Sequence, residues 1–311
     1  MYNNGQIIEK KLYISSKDCS EEIISKNQIM SNINKIGFNF IHYIQDYKNI
    51  KIIRDGKIII LGGFYDGKIT VFQNDTDSNQ SIIDPFKDDS IVTIINTDID
   101  ENFLFIGNNM GNISIILISP SNINDWKEIY SIPHQLNIIS SIESNNLLNV
   151  WASASIDGYI NLYTLPKCKL NMSFKLETNN FCNNIFICDS PLPSILIICK
   201  DEVFLYSING HKIYSQKEYS NIINPIIIKD FIKNDFFAYI INEKEILIRN
   251  VSDFTLVSSI EIDREIYYLV PNENNKALFA FNKDGTEINA ITCESKKDKK
   301  KGIEITSFFK F

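Results

Sequence analysis

The chain has 311 residues, 44% of them hydrophobic and 22% charged, which is apolar enough for a large core and too apolar for a disordered chain. Its net charge of −7 argues against nucleic acid as a partner, because neutralising phosphates needs a positive stripe. The N-terminal residues from Met1 to Lys11 lack the apolar segment of a signal peptide, and no apolar run approaches the roughly 18 residues of a membrane helix. A soluble chain, cytoplasmic or held at membrane surfaces through its partners, is therefore expected.

In chain order, strand-like stretches come first at Lys11–Ser15 and Gly37–Tyr43, separated by a polar segment (18–36) that reads as a helix or a loose linker. From there a phrase recurs: a short apolar strand, a polar tight turn, and a second strand of alternating apolar and polar residues. Its copies are IIILGGFYDGKITVF (58–72), FLFIGNNMGNISIIL (103–117), ASASIDGYINLYTL (152–165) and ILIICKDEVFLYSI (195–208), with weaker ones at 236–251 and 277–291. Alternation of this kind marks strands buried on one face. The inward positions of the second strand, Val71, Ile115, Leu162, Leu205, Ile248 and Ala290, recur about every 43 residues.

Leu170, Ile213 and Leu256 keep the same beat one strand later. Ile91–Ile95, Ile138–Ile142, Ile185–Cys188, Ile226–Phe231 and Ile266–Val270 supply a strand ahead of each phrase. Four short strands per repeat of some forty residues is the period of a β-propeller blade, since a lone four-stranded sheet cannot bury both faces and stacking supplies the second one. The fold expected is all-β, a six- or seven-bladed propeller of four-stranded antiparallel blades over residues 37–311, with 1–36 as a lead-in or partial first blade. Ile303–Phe309 follows the last phrase. It is expected to complete a blade whose other strands lie within residues 1–47, such as Lys11–Ser15 and Gly37–Tyr43, closing a seventh.

The phrase ASASIDGYINLYTL resembles a WD40 repeat, whose second and third strands meet at an Asp-containing turn. The family's closing Trp-Asp pair is absent from every copy; Tyr163-Thr164, Tyr206-Ser207, Phe72-Gln73 and Arg249-Asn250 stand in that place. Its Gly-His element survives as Pro133-His134. The resemblance implies a hydrogen-bonded brace of His134, Ser153 or Ser155, and Asp157, with Gly158 in the turn and Tyr163 in place of the Trp. The other five copies have no such His and are expected to rely on packing alone. Gly62-Gly63-Phe64-Tyr65-Asp66, ASASIDGYINLYTLPKCKL and LYSINGHKI are further similar to the C-terminal WD40 region of BEACH-domain proteins. That resemblance implies a non-catalytic scaffold in membrane trafficking. A generic WD40 subunit of a ubiquitin ligase or a ribosome-assembly complex is the alternative.

Little in the sequence favours catalysis. The three histidines, His42, His134 and His211, are far apart in sequence, and no P-loop, nucleophile elbow or dinucleotide fingerprint is present. The six cysteines contain no CxxC pair, so zinc is not expected and reduced thiols are. Asp75-Thr-Asp77-Ser-Asn79 imitates the start of a calcium loop, but Gln80 and Phe86 stand where Gly and Glu belong. Asp98 and Asp100 imitate it more weakly. No cofactor, metal or small-molecule substrate is therefore expected. Other proteins are, through loops carrying Phe64, Tyr65, Met110 and Ile156. The basic run Lys296–Lys301 reads as a solvated hairpin loop.

Overall fold

The computed structural model describes residues 11–14, 19–22, 47–53, 58–63, 67–73, 80–88, 90–119, 123–133, 137–178, 180–228, 235–271, 277–281, 288–294 and 304–310. Among these it is all-β, with one short 3-10 turn at Ile123–Asp125. The chain divides into two compact units, one of residues 1–97 and 101–134, the other of residues 98–100 and 135–311.

The first unit holds a two-stranded hairpin, β1 (Lys11–Ile14) with β2 (Cys19–Glu22), and two four-stranded antiparallel sheets. One sheet is β3 (Tyr47–Ile53), β4 (Ile58–Gly63), β5 (Ile69–Gln73) and β6 (Gln80–Ile83). The other is β7 (Val92–Thr97), β8 (Phe103–Asn108), β9 (Asn112–Leu117) and β10 (Lys127–Pro133). Ile69, Val71, Val92, Leu104, Ile106, Ile116 and Ile123 form one continuous apolar cluster between them.

The second unit repeats the motif four times. Its sheets are β11 (Ile139–Asn145) to β12 (Val150–Ser155), β13 (Tyr159–Thr164) and β14 (Leu170–Lys175); β15 (Cys182–Cys188) to β16 (Ser194–Cys199), β17 (Glu202–Ser207) and β18 (Lys212–Lys217); β19 (Ile223–Ile228) to β20 (Phe236–Ile241), β21 (Glu245–Asn250) and β22 (Leu256–Glu261); and β23 (Tyr268–Pro271) to β24 (Ala277–Phe281), β25 (Ile288–Glu294) and β26 (Glu304–Lys310). Strands pair strictly with their sequence neighbours, the meander expected of short connections.

Burial within a sheet follows strand order. The second strands β12, β16 and β20 are buried at every position, so their apolar runs (SILIIC, FFAYII) have both faces covered rather than alternating. In the third strands Val71, Ile115, Leu162, Leu205 and Ile248 are all buried. Each such side chain contributes about 1.5–3 kcal/mol by leaving water. The fourth strands lie outermost: Leu170, Ile213 and Leu256, which keep the repeat in sequence, are each close to half exposed. A register shift recurs where the third strand meets the fourth, beside Tyr163, Tyr206 and Arg249. Such bulges re-aim a side chain, and they fall at the same place in three successive sheets.

The C-terminal strand does not complete a blade with the N-terminal strands, which corrects that expectation. β26 pairs along β25, and β1 pairs with β2. Loop closure explains the choice, because a hairpin to the preceding strand costs far less chain entropy than joining the two ends of the molecule. Gly37–Tyr43 lies outside the described residues.

Candidate functional site

The turn between β12 and β13 carries the Asp-containing phrase. Ser155, fully buried at the end of β12, donates its hydroxyl to the Asp157 carboxylate and accepts from the Tyr159 amide at 3.3 Å. Gly158 has φ of 86°, a left-handed conformation that any side chain would strain. Its amide donates to the Ser155 carbonyl at 3.0 Å and its carbonyl accepts from Leu176 at 2.9 Å, which ties the turn to the link after β14. In the β7–β10 sheet, Asn108 holds the position of Ser155. Its amide group donates to Ser90 at 2.8 Å, and its carbonyl oxygen accepts from the amides of Met110 and Asn112. Two different polar residues therefore brace the same hairpin.

Deeper in the β11–β14 sheet, Trp151 pairs across strands with Tyr163, their rings stacked at 4.0 Å and 10°. Ser153 lies two positions further along β12, and its hydroxyl faces that of Tyr163. Burial drives the Tyr163 hydroxyl well above the ordinary tyrosine value, with Ser153 opposing the shift. Cys168 (φ 50°) closes the next turn, and burial pushes its thiol up to about 11 while the Trp151 indole works against that. Tyr163 is thus buried with a second aromatic stacked upon it. His134 lies outside the described residues; Ser153, Ser155, Asp157 and Gly158 are gathered along one hairpin.

Sequence reading missed the equivalent position two sheets on. Phe237 and Arg249 pair as Trp151 and Tyr163 do, and Tyr239 stands where Ser153 stands. Arg249 Nε donates to the Tyr239 hydroxyl at 2.7 Å, and its Nη1 donates to the Phe254 carbonyl at 3.0 Å. The Tyr239 hydroxyl in turn donates to Glu218 at 2.7 Å, and Arg249 Nη2 lies 3.3 Å from that carboxylate. Glu218, itself buried, also accepts from Gln216 at 2.8 Å. Desolvation and the neighbouring Glu218 raise the Tyr239 hydroxyl above its ordinary range, while Arg249 pulls it back. The expectation that every copy lacking a His relies on packing alone is therefore corrected: 236–251 carries a buried, charged brace. The only signal for it in sequence was an Arg where the repeat has an aromatic residue. Its acidic partner comes from the link ahead of the sheet.

Among the surface candidates, Met110 is 61% exposed at the β8–β9 hairpin tip. Ile156 is half-buried; its amide donates to Ile138 at 2.9 Å and its carbonyl accepts from Cys182, so its backbone links neighbouring strands. Phe64, Tyr65, His42, Lys296–Lys301 and Asp75–Asn79 lie outside the described residues. His211 is exposed in its turn. Within the second unit, Asp98 and Asp100 both accept hydrogen bonds from the Asn146 side-chain amide. Cys168, Cys182, Cys188 and Cys199 are free and buried. Among the described residues no group of three or more His, Cys, Asp or Glu is gathered as metal ligands would be, and no helix is long and apolar enough to cross a membrane.

These four-stranded antiparallel sheets are consistent with a propeller-like fold, and three of them carry a polar brace. No family model matches the sequence, and no curated protein matches it. Solved structures do match. One is the crystal structure of a computationally designed protein, Ika8, at a TM-score of 0.60 and 17% identity, covering 79% of this chain and 71% of that one. At that identity the likeness concerns the fold.

Proposed function

We propose that this chain is a non-catalytic protein-interaction platform, a WD40-type propeller of six or seven blades acting in the cytoplasm as part of a BEACH-type trafficking system. The observation that carries the reading is the repeated four-stranded sheet, whose short turns are braced from within while a hairpin tip presents Met110 outward. A rigid scaffold with exposed turns suits recognition of other proteins, because a preformed surface loses little entropy on binding. The WD40 assignment rests on the Ser155–Asp157–Gly158 turn, and the trafficking assignment on the phrases shared with BEACH-associated repeats. Association with membranes is indirect in this reading, through partners.

Proximity labelling of the tagged chain in its own cells, followed by mass spectrometry, tests the proposal. Enrichment of membrane-trafficking proteins or of a BEACH-containing polypeptide supports it. Enrichment of ubiquitin-ligase or ribosome-assembly subunits keeps the platform and discards the trafficking role. A soluble metabolic complex with measurable turnover discards both.

A further inference from the structure

A cavity of about 250 Å³ opens in the first unit between the last strand of one four-stranded sheet and the last two of the next. Its floor is Ile116 and Ile123, both buried in the apolar cluster that joins these sheets, with Ile83 and Trp126 packed against the same cluster. The indole is held in place: Trp126 Nε1 donates to the Ser119 carbonyl at 3.1 Å, and the Trp126 amide donates to Ile123 at 3.1 Å. Ile82, 64% exposed, forms the lip on β6. Asp84 and Glu128 are the charged groups of the lining. Both are oriented, Asp84 by the Lys87 amide at 2.8 Å and Glu128 by the Ser114 hydroxyl at 3.0 Å.

Size, shape and charge restrict what such a site takes. The volume falls below the roughly 300–1,000 Å³ of a drug-sized ligand or cofactor pocket, and suits one or two aliphatic side chains. The isoleucines and Trp126 suit an aliphatic group, while the two carboxylates repel a phosphate and favour a cation at the rim. β6 pairs with β5 on one edge and, among the described residues, leaves the other edge unpaired, which is a template for an extended chain.

We propose that this cleft binds an extended segment of a partner protein in which an aliphatic anchor is flanked, two residues away on either side, by Lys or Arg. The spacing follows from strand geometry, because residues two apart share a face, so the anchor enters the cavity while the cations reach Asp84 and Glu128. This refines the platform reading by giving the chemistry of one partner, at a place distinct from the hairpin tips.

The chain's two tryptophans make the test direct. Trp151 is fully buried and Trp126 is only partly so, which makes a ligand-induced emission change a report on the cleft. The full chain is titrated with three capped pentapeptides: Lys-Ser-Leu-Ser-Lys, Glu-Ser-Leu-Ser-Glu and Lys-Ser-Ser-Ser-Lys. A saturable blue shift with the first, at least about tenfold weaker with the other two, is the expected result. Trp126→Phe should remove the signal. Asp84→Lys combined with Glu128→Lys, both at exposed positions, should shift preference to the Glu peptide, with circular dichroism confirming the fold. Equal responses to all three peptides, or no saturable response to any, overturn the proposal. So does concentration-dependent self-association that the double variant abolishes, which assigns the cleft to a second copy. Each of these failures leaves the platform reading to be decided by proximity labelling.

Discussion

The β11–β14 and β19–β22 sheets solve one problem with opposite chemistry. In the first, Trp151, Tyr163, Ser153 and Cys168 fill the buried positions with neutral groups and a ring stack. In the second, Phe237, Arg249, Tyr239 and Phe254 occupy the matching positions, and Glu218 enters to meet the arginine. The backbone is nearly the same: Cys168 and Phe254 are both left-handed, at φ 50° and 56°, and each amide donates back to the strand end at 2.8 and 3.1 Å. A fixed scaffold therefore tolerates either a neutral or an ionic filling at these positions. The two fillings should respond differently to loss of one member, since an ion left alone in a low-dielectric interior costs more than a hydroxyl left alone.

The largest effect is expected at Arg249. Arg249→Ala leaves Glu218 buried beside Tyr239 without its cation and should lose about 3–5 kcal/mol in denaturant unfolding. Glu218→Leu with Arg249→Met should recover most of that loss. If the single variant costs no more than Tyr163→Phe, the contrast between the sheets collapses.

Next comes the alkaline limb. Tyr163 and Tyr239 are both held protonated by burial, with folded values above the ordinary tyrosine value of 10.0. A raised folded value means the stabilisation is complete below pH 10 and is lost as pH climbs above it. Phenolate absorbance of these two rings should therefore develop together with unfolding. Tyr239→Phe and Tyr163→Phe should each flatten the loss of stability. Independent titration of either ring in the folded state contradicts the burial.

Ser155→Ala removes the hydroxyl shared by Asp157 and Tyr159 and should cost about 1–2 kcal/mol, with Ser155→Thr or Asn recovering part of it. The smallest effect belongs to Glu245, at the exposed margin of the ionic sheet. The Ser259 hydroxyl and then the Tyr219 hydroxyl hold its pKa below the ordinary 4.5. A lowered folded value contributes stability above pH 4.5 that disappears as pH falls through the folded value. Solvent screening keeps Glu245→Gln within about 0.5 kcal/mol at neutral pH. The difference from the parent chain should vanish in acid.

Much of the fold was legible because burial leaves a period in the chain. Val71, Ile115, Leu162, Leu205 and Ile248 recur with the repeat and all five are buried. Leu170, Ile213 and Leu256 recur just as regularly yet are half exposed, so periodicity alone did not separate an inner strand from an outer one. The site was half legible. Ser155, Asp157 and Gly158 lie within a few residues of one another, and local turn chemistry announces itself in a short phrase. Glu218 and Arg249 are joined only after a whole sheet has formed between them, and no local pattern reports that.

The sequence by itself determined the strands, their grouping in fours and the hairpin turns, because each depends on neighbours a few residues apart. Tertiary structure alone decided that β26 stays beside β25 rather than joining the N-terminal strands, that an arginine and a glutamate brace one repeat, and that Trp126 lines an open cleft. Those outcomes depend on which surfaces remain to be covered once the sheets exist, a sum over distant residues that no window of sequence contains.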